Sequence, residues 1–179
     1  MTSGSYDPPA EVITEGVVRR FSPREAARLV ERSTEDLTER ASEVGHAVVL
    51  KARTQLGVRE TPPGSNGGVP LERYVRWFAP GSTPVPWCAH FVSWCHDQVT
   101  DRNRRVPWRS AGIVRAVRLW RPHVQVPLHG DFFGIGDQHM GVVWAADATA
   151  RTIRTIEGNY SDAVVAVERR WPGLWFVRP

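Results

Sequence analysis

Apolar residues recur at helical spacing up to about residue 120 and then shift towards alternation, and this change of period sets the expected architecture. Residues 1–21 read as an extended arm. "SPRE" at 22–25 has the features of a helix start: Ser22 can cap, Pro23 suits the first turn and Glu25 closes a capping box. Ala26, Val30, Leu37, Ala41 and Val44 continue an apolar stripe, and Ser33 is placed to cap a second time. A further helix is predicted through "HAVVLKARTQLG", with Gly57 as its stop. The prolines and glycines of "VRETPPGSNGGVP", 58–70, predict a loop. "LERYVRWF" is a short helix, and "APGSTPVP" leads into a helix from Cys88 to Val99. Phe91, Val92, Trp94, Cys95 and Val99 form the apolar side of that helix. "DRNRRVPWRS" is a basic loop, and "SAGIVRAVRLW" is a helix capped by Ser110.

From about Val124 the segments "MGVVWAAD", "RTIRTIEGN", "AVVAVERRW" and "LWFVRP" are short and rich in Val, Ile and Trp, the signature of strands. Helices followed by an antiparallel sheet make an α+β domain. The 179 residues suit one domain with an appendage. No run of about 18 apolar residues exists, so no membrane insertion is expected.

Charge changes the picture little. The net charge is +4, but residues 1–44 carry −3 and residues 45–179 carry +7. A basic body attracts polyanions such as nucleic acid, anionic lipid or an anionic cell wall. Solubility accounts for the balance as well. The arginines are scattered and no nucleic-acid motif is present, so nucleic acid is not an expected partner. The opening "MTSGSYDPPAEVITEG" has neither a basic start nor an apolar stretch, so no signal peptide is expected.

The candidate chemistry centres on "PWCAHFVSWCHD", 86–97, which holds both cysteines. Seven residues along a helix span about 10 Å, and a disulfide needs Cα atoms within about 7 Å, so Cys88 and Cys95 are not expected to bond. The spacing C-x6-C-H matches no zinc pattern, and no metal is expected. Cys88 begins its helix, where the unpaired N–H groups and the helix dipole favour a thiolate. Cys95 lies in the apolar stripe and reads as an inert core thiol.

A cysteine nucleophile needs a base. His90 is about 200° round the helix from Cys88, and His96 is two turns away. His46, His123 and His129 read as ordinary surface or packed residues. His139 opens a strand instead. A hairpin turning at "DATA", 147–150, puts paired positions at a sum of about 296, so His139 faces Glu157. Asn159 shares that face if the strand continues. An imidazole beside a carboxylate and an amide is how a base is oriented and its protonated form stabilised. Asp137, two residues before His139, is the alternative orienter, and Asp131 of "HGD" is a further candidate whose simpler role is a turn.

The blocks "VRETPPGSNGG", "ERYV", "PWCAHFVSWC", "GD", "QHMGVV" and "TIEGNYSDAV" occur in the order found in the CHAP family, the cysteine, histidine-dependent amidohydrolases/peptidases related to papain-like and NlpC-type enzymes. Residues 45–179 resemble that family; residues 1–44 do not, and form an N-terminal arm and helix of unassigned role. The resemblance implies a papain-like CHAP fold with the nucleophile at a helix N-terminus. It implies Cys88 as nucleophile, His139 as base, Glu157 as orienting acid and Asn159 as the accompanying polar residue. Trp87, Tyr74 and Trp77 are candidates to line a cleft for a sugar–peptide chain, and core packing explains the rings just as well. Some phage lysins of the family carry an acidic calcium loop before the cysteine. Here that stretch is "FAPGSTPVPW", without an acid, so neither calcium nor another cofactor is expected.

The activity implied is a peptidoglycan hydrolase, either an N-acetylmuramoyl-L-alanine amidase or a stem or crossbridge endopeptidase. The alternatives are an amidase on a small non-wall substrate and a non-catalytic binding domain. The expected partner is peptidoglycan, with residues 1–44 a candidate docking surface for an immunity or delivery protein. The setting expected is the bacterial cell wall, reached as a phage lysin or antibacterial effector by a route other than a signal peptide.

Overall fold

The computed structural model describes residues 19–21, 43–78, 85–100, 113–120 and 123–179. The helix starts read at Ser22 and Ser33, the "DRNRRVPWRS" loop and the Ser110 cap lie outside the described residues. The elements run β1 (Arg19–Phe21), α1 (Glu43–Arg53), α2 (Val69–Phe78), α3 (Cys88–Val99), α4 (Ile113–Trp120), β2 (Phe132–Ile135), β3 (His139–Asp147), β4 (Thr152–Tyr160), β5 (Ala163–Arg170) and β6 (Trp175–Val177). Helices thus precede an antiparallel sheet, an α+β arrangement. Among the described residues no helix is long and apolar enough to cross a membrane.

The strands form one sheet in the order β1-β5-β4-β3-β2-β6, with each neighbouring pair antiparallel. Strands β2 to β5 are a meander, and β1 and β6 cover its two edges. Three residues of the N-terminal arm therefore join the sheet, which extends across the division expected at residue 44. Unpaired edges template association, so β1 also shields the β5 backbone.

Successive strand residues point to opposite faces, and the two faces differ. Phe132, Val142, Trp144, Ile156 and Val177 join the main core with the helices. Phe133, Val143, Ile153, Trp171 and Phe176 form a smaller cluster of their own. Helix α3 packs against α1, α2, α4, β3 and β4. It is buried on nearly all sides, from Cys88 to Asp97, as expected of a helix at the centre of a core. Cys95 is fully buried, and burial pushes its thiol pKa well up, the inert core role read from the sequence.

The β3–β4 register differs from the expectation. Val142 pairs with Ile156 and Val143 with Thr155, a register offset by two residues, and a bulge between Val143 and Ala145 offsets the far end by one more. Asp147 Oδ1 accepts from the N–H groups of Thr149 and Ala150, and Arg151 adopts a positive φ, which lengthens the turn beyond "DATA". A shift of two preserves the face of every side chain, whereas a shift of one would have exchanged them.

Candidate active site

Each side chain is placed by a local feature of the chain. Cys88 is the first residue of α3, and no side chain caps that helix start. Its approach to the sheet depends on Gly158. A Cβ there would lie 2.6 Å from Phe91 Cβ and 2.8 Å from Trp87 Cζ3. Gly141 does the same for the acid: a Cβ there would lie 2.9 Å from Glu157 Cγ. The glycines of "EGN" and "HMG" thus let the helix of Cys88 and the carboxylate settle against the strands.

Cys88 is 2 % exposed, and its Sγ lies 3.8 Å from the Gln138 carbonyl oxygen. His139 and Glu157 are fully buried. His139 Nε2 is 2.7 Å from Glu157 Oε2, and Cys88 lies close enough to act on the imidazole electrostatically. With Nε2 committed to the carboxylate, Nδ1 is the nitrogen left to exchange a proton with the thiol. Burial opposes a charge on His139. Its interactions with Cys88 and Glu157 outweigh that effect, and its pKa is pushed up to about 9.

Behind Glu157 stands Arg169, which the sequence reading did not single out. Its Nε donates to Glu157 Oε1 at 2.7 Å and its Nη2 to Oε2 at 2.8 Å. The Thr155 hydroxyl donates to Oε1 at 2.5 Å. The carboxylate therefore accepts four hydrogen bonds, its full capacity. Burial alone would favour the neutral acid. The charge and bonds of Arg169, then those of His139, reverse this and hold the carboxyl well below the usual carboxylate range.

Asn159 departs from the expectation that it continues the face of Glu157. The β4–β5 ladder bulges between Glu157 and Tyr160, and Asn159 takes a left-handed φ of 57°, a conformation asparagine tolerates better than most residues. In the amide orientation that satisfies donors and acceptors alike, its nitrogen donates to Glu60 Oε1 at 3.2 Å and its oxygen accepts from the Trp87 N–H at 3.1 Å. Glu60 is the second residue missed by the sequence reading. It is buried, takes the Trp87 indole N–H at 2.9 Å and takes the Asn66 backbone N–H at 2.8 Å. Asn159 and Glu60 thus grip the residue immediately before Cys88.

Two of the proposed cleft residues are corrected. Trp87 and Tyr74 are fully buried and stack on each other, with ring centroids 5.7 Å apart. The Tyr74 hydroxyl donates to Gln55 Oε1 at 2.8 Å. Both indole and phenol find polar partners inside the protein, so these rings serve the core. The Trp77 side chain lies outside the described residues. Asp131 is bound by Arg178 at 2.8 and 2.9 Å and accepts from the Leu128 N–H, a structural role in its turn. Asp137 is half-exposed and pairs with Arg118 at 2.9 Å, so Glu157 and not Asp137 meets His139.

The other histidines have separate surroundings. His129 lies 2.6 Å from the Trp144 carbonyl oxygen and 3.1 Å from His46, joining α1 to β3. His123 donates to the Arg118 carbonyl and stacks on Trp175. His96 packs edge-on against Phe132, and burial pushes the His90 pKa down. Among the described residues, no three His, Cys, Asp or Glu side chains are grouped to hold a metal ion.

The arrangement of thiol, imidazole and carboxylate can supply a nucleophile, a proton acceptor and an orienting anion in series. No protein-family model, curated protein or solved structure matches the chain.

Proposed function

We propose that this chain is a cysteine amidase or endopeptidase of the CHAP type that cuts an amide bond of peptidoglycan. The observation that carries the reading is the buried grouping of Cys88 with the hydrogen-bonded His139–Glu157 pair, with the thiol at the start of a helix that packs on an antiparallel sheet. The order of the "PWCAHFVSWC", "QHMGVV" and "TIEGN" blocks supports the CHAP assignment. The +7 charge of residues 45–179 suits an anionic wall.

In this reading His139 Nδ1 takes the Cys88 proton and the thiolate attacks the substrate carbonyl carbon. The amide groups of the uncapped α3 N-terminus, the Cys88 N–H first, stabilise the oxyanion. His139 then gives its proton to the leaving amine as the C–N bond breaks, which leaves a thioester on Cys88. Water attacks the thioester while His139 takes its proton, releasing the acid and restoring the thiol. Glu157 keeps the imidazole aimed and stabilises its charged form in both steps.

Digestion of purified sacculi by wild type and by Cys88→Ala, with products read by mass spectrometry, tests the reading. Stem peptides freed from muramic acid identify an amidase; shortened or uncrosslinked muropeptides identify an endopeptidase. Equal release by Cys88→Ala removes Cys88 from the mechanism. No release by wild type from walls of several chemotypes removes peptidoglycan as the substrate.

A further inference from the structure

We infer that Arg169 is a positioning residue of this site: its guanidinium holds the buried Glu157 carboxylate in a fixed orientation and cancels its charge, so that the Cys88–His139 pair can lose its first proton and form the thiolate at lower pH. The inference rests on the reading of Cys88, His139 and Glu157 as the reacting series. Arg169 is 3 % exposed and meets both carboxylate oxygens with the planar two-bond fork that arginine, not lysine, can make. Its own position is fixed by the Phe133 and Tyr160 rings, whose centroids lie 5.9 and 5.2 Å from its Cζ. The same two rings flank His139, each with its centroid 6.5 Å from the imidazole. Imidazole and guanidinium are thus held on one carboxylate inside one aromatic frame.

Charge counting gives the consequence. The groups facing this space are Cys88 from α3, Glu157 and Tyr160 from β4, and Arg169 from β5, with apolar Phe133 from β2. Glu157 and Arg169 together are neutral. Thiol with imidazole, or thiolate with imidazolium, then leaves the enclosed cluster neutral as a whole. Without Arg169 the lone buried carboxylate would retain the proton of its neighbour, and the thiolate would appear only at higher pH. The acid side of the Cys88 reactivity profile reads this balance directly.

The test measures the rate of iodoacetamide alkylation of Cys88 against pH in a Cys95→Ala background. It compares this parent with Arg169→Met, Arg169→Lys, Glu157→Gln and the Glu157→Gln/Arg169→Met double variant, with folding checked by thermal melting. Arg169→Met should move the acid limb up by about one pH unit or more, and Arg169→Lys by less than Arg169→Met. Glu157→Gln should move it down, with the double variant between Glu157→Gln and the parent. Opposite signs for the two single variants would not arise from a merely structural role. If Arg169→Met does not fold, the step from Glu157→Gln to the double variant reports the same charge, and an upward step is expected. Superimposable limbs in either comparison, or equal shifts for Met and Lys, overturn the inference. If the parent alkylates Cys88 rapidly but digests no sacculi, the wall substrate falls and the profiles still decide the role of Arg169. If the parent shows no rapid alkylation, the reacting series and the inference fall together.

Discussion

His139 and Glu157 stand diagonally on adjacent strands, yet their side chains, both fully buried, meet at 2.7 Å. The ladder between the strands ends at Val142 and Ile156, one residue short of Glu157 and three from His139. Diagonal neighbours on one face are within reach of long side chains. The missing side chain at Gly141 gives the carboxylate room to cross.

This pair makes stability depend on pH in a defined direction. The folded His139 titrates at about 9 against an ordinary 6.5. Its contribution is therefore full below about pH 6.5 and is lost as pH rises through about 9. The folded pKa of Glu157 is depressed, so its contribution is present above the ordinary carboxylate range and disappears only in strong acid. The melting temperature of wild type is expected to decline from mildly acidic to alkaline solution. In His139→Gln the decline should be shallower, and an unchanged slope would show that the pair does not contribute in this way.

The helix of Cys88, the strands of His139 and Glu157, and the α+β order were all legible, because each rests on local period and on short spacings. The register was legible only in its parity, since the bulge at Val143/Ala145 and the Arg151 turn depend on contacts that spacing does not contain. Arg169 left a faint trace: it continues an apolar strand and is buried beside the exposed Arg170. Glu60 left none, because an acid in a proline- and glycine-rich loop looks solvated until the fold buries it. Trp87 and Tyr74 were ambiguous between core and cleft, and the indole bond to Glu60 and the phenol bond to Gln55 place them in the core.

Glu60 and Asn159 are expected to act on catalysis through the backbone before Cys88. Glu60→Ala removes the acceptor of the Trp87 indole, the Asn66 N–H and the Asn159 amide. Each buried donor left unmet costs about 1–3 kcal/mol, so a clear drop in thermal stability should follow. Asn159→Ala frees the Trp87 N–H and should lower kcat by about tenfold or more with little change in KM, as for a displaced reacting group. A change confined to KM would place Asn159 in substrate binding instead.

Gly158→Ala tests the seating of the helix that begins at Cys88. The added methyl would lie 2.6 Å from Phe91 Cβ, so α3 and β4 must separate. Overpacking of this kind costs about 1–3 kcal/mol, and the loss of activity should exceed what the loss of folded protein explains. Full activity in the folded variant would mean that the helix position tolerates more play than the geometry allows.

If His139 activates the Cys88 thiol, cysteine labelling reports it directly. Wild type and His139→Ala are treated with iodoacetamide near neutral pH, and peptide masses report Cys88 and Cys95 separately. The account predicts rapid labelling of Cys88, sparing of Cys95, and a slowing at Cys88 of about tenfold or more in His139→Ala. Equal slow labelling of both cysteines, or a Cys88 rate indifferent to His139, would contradict it.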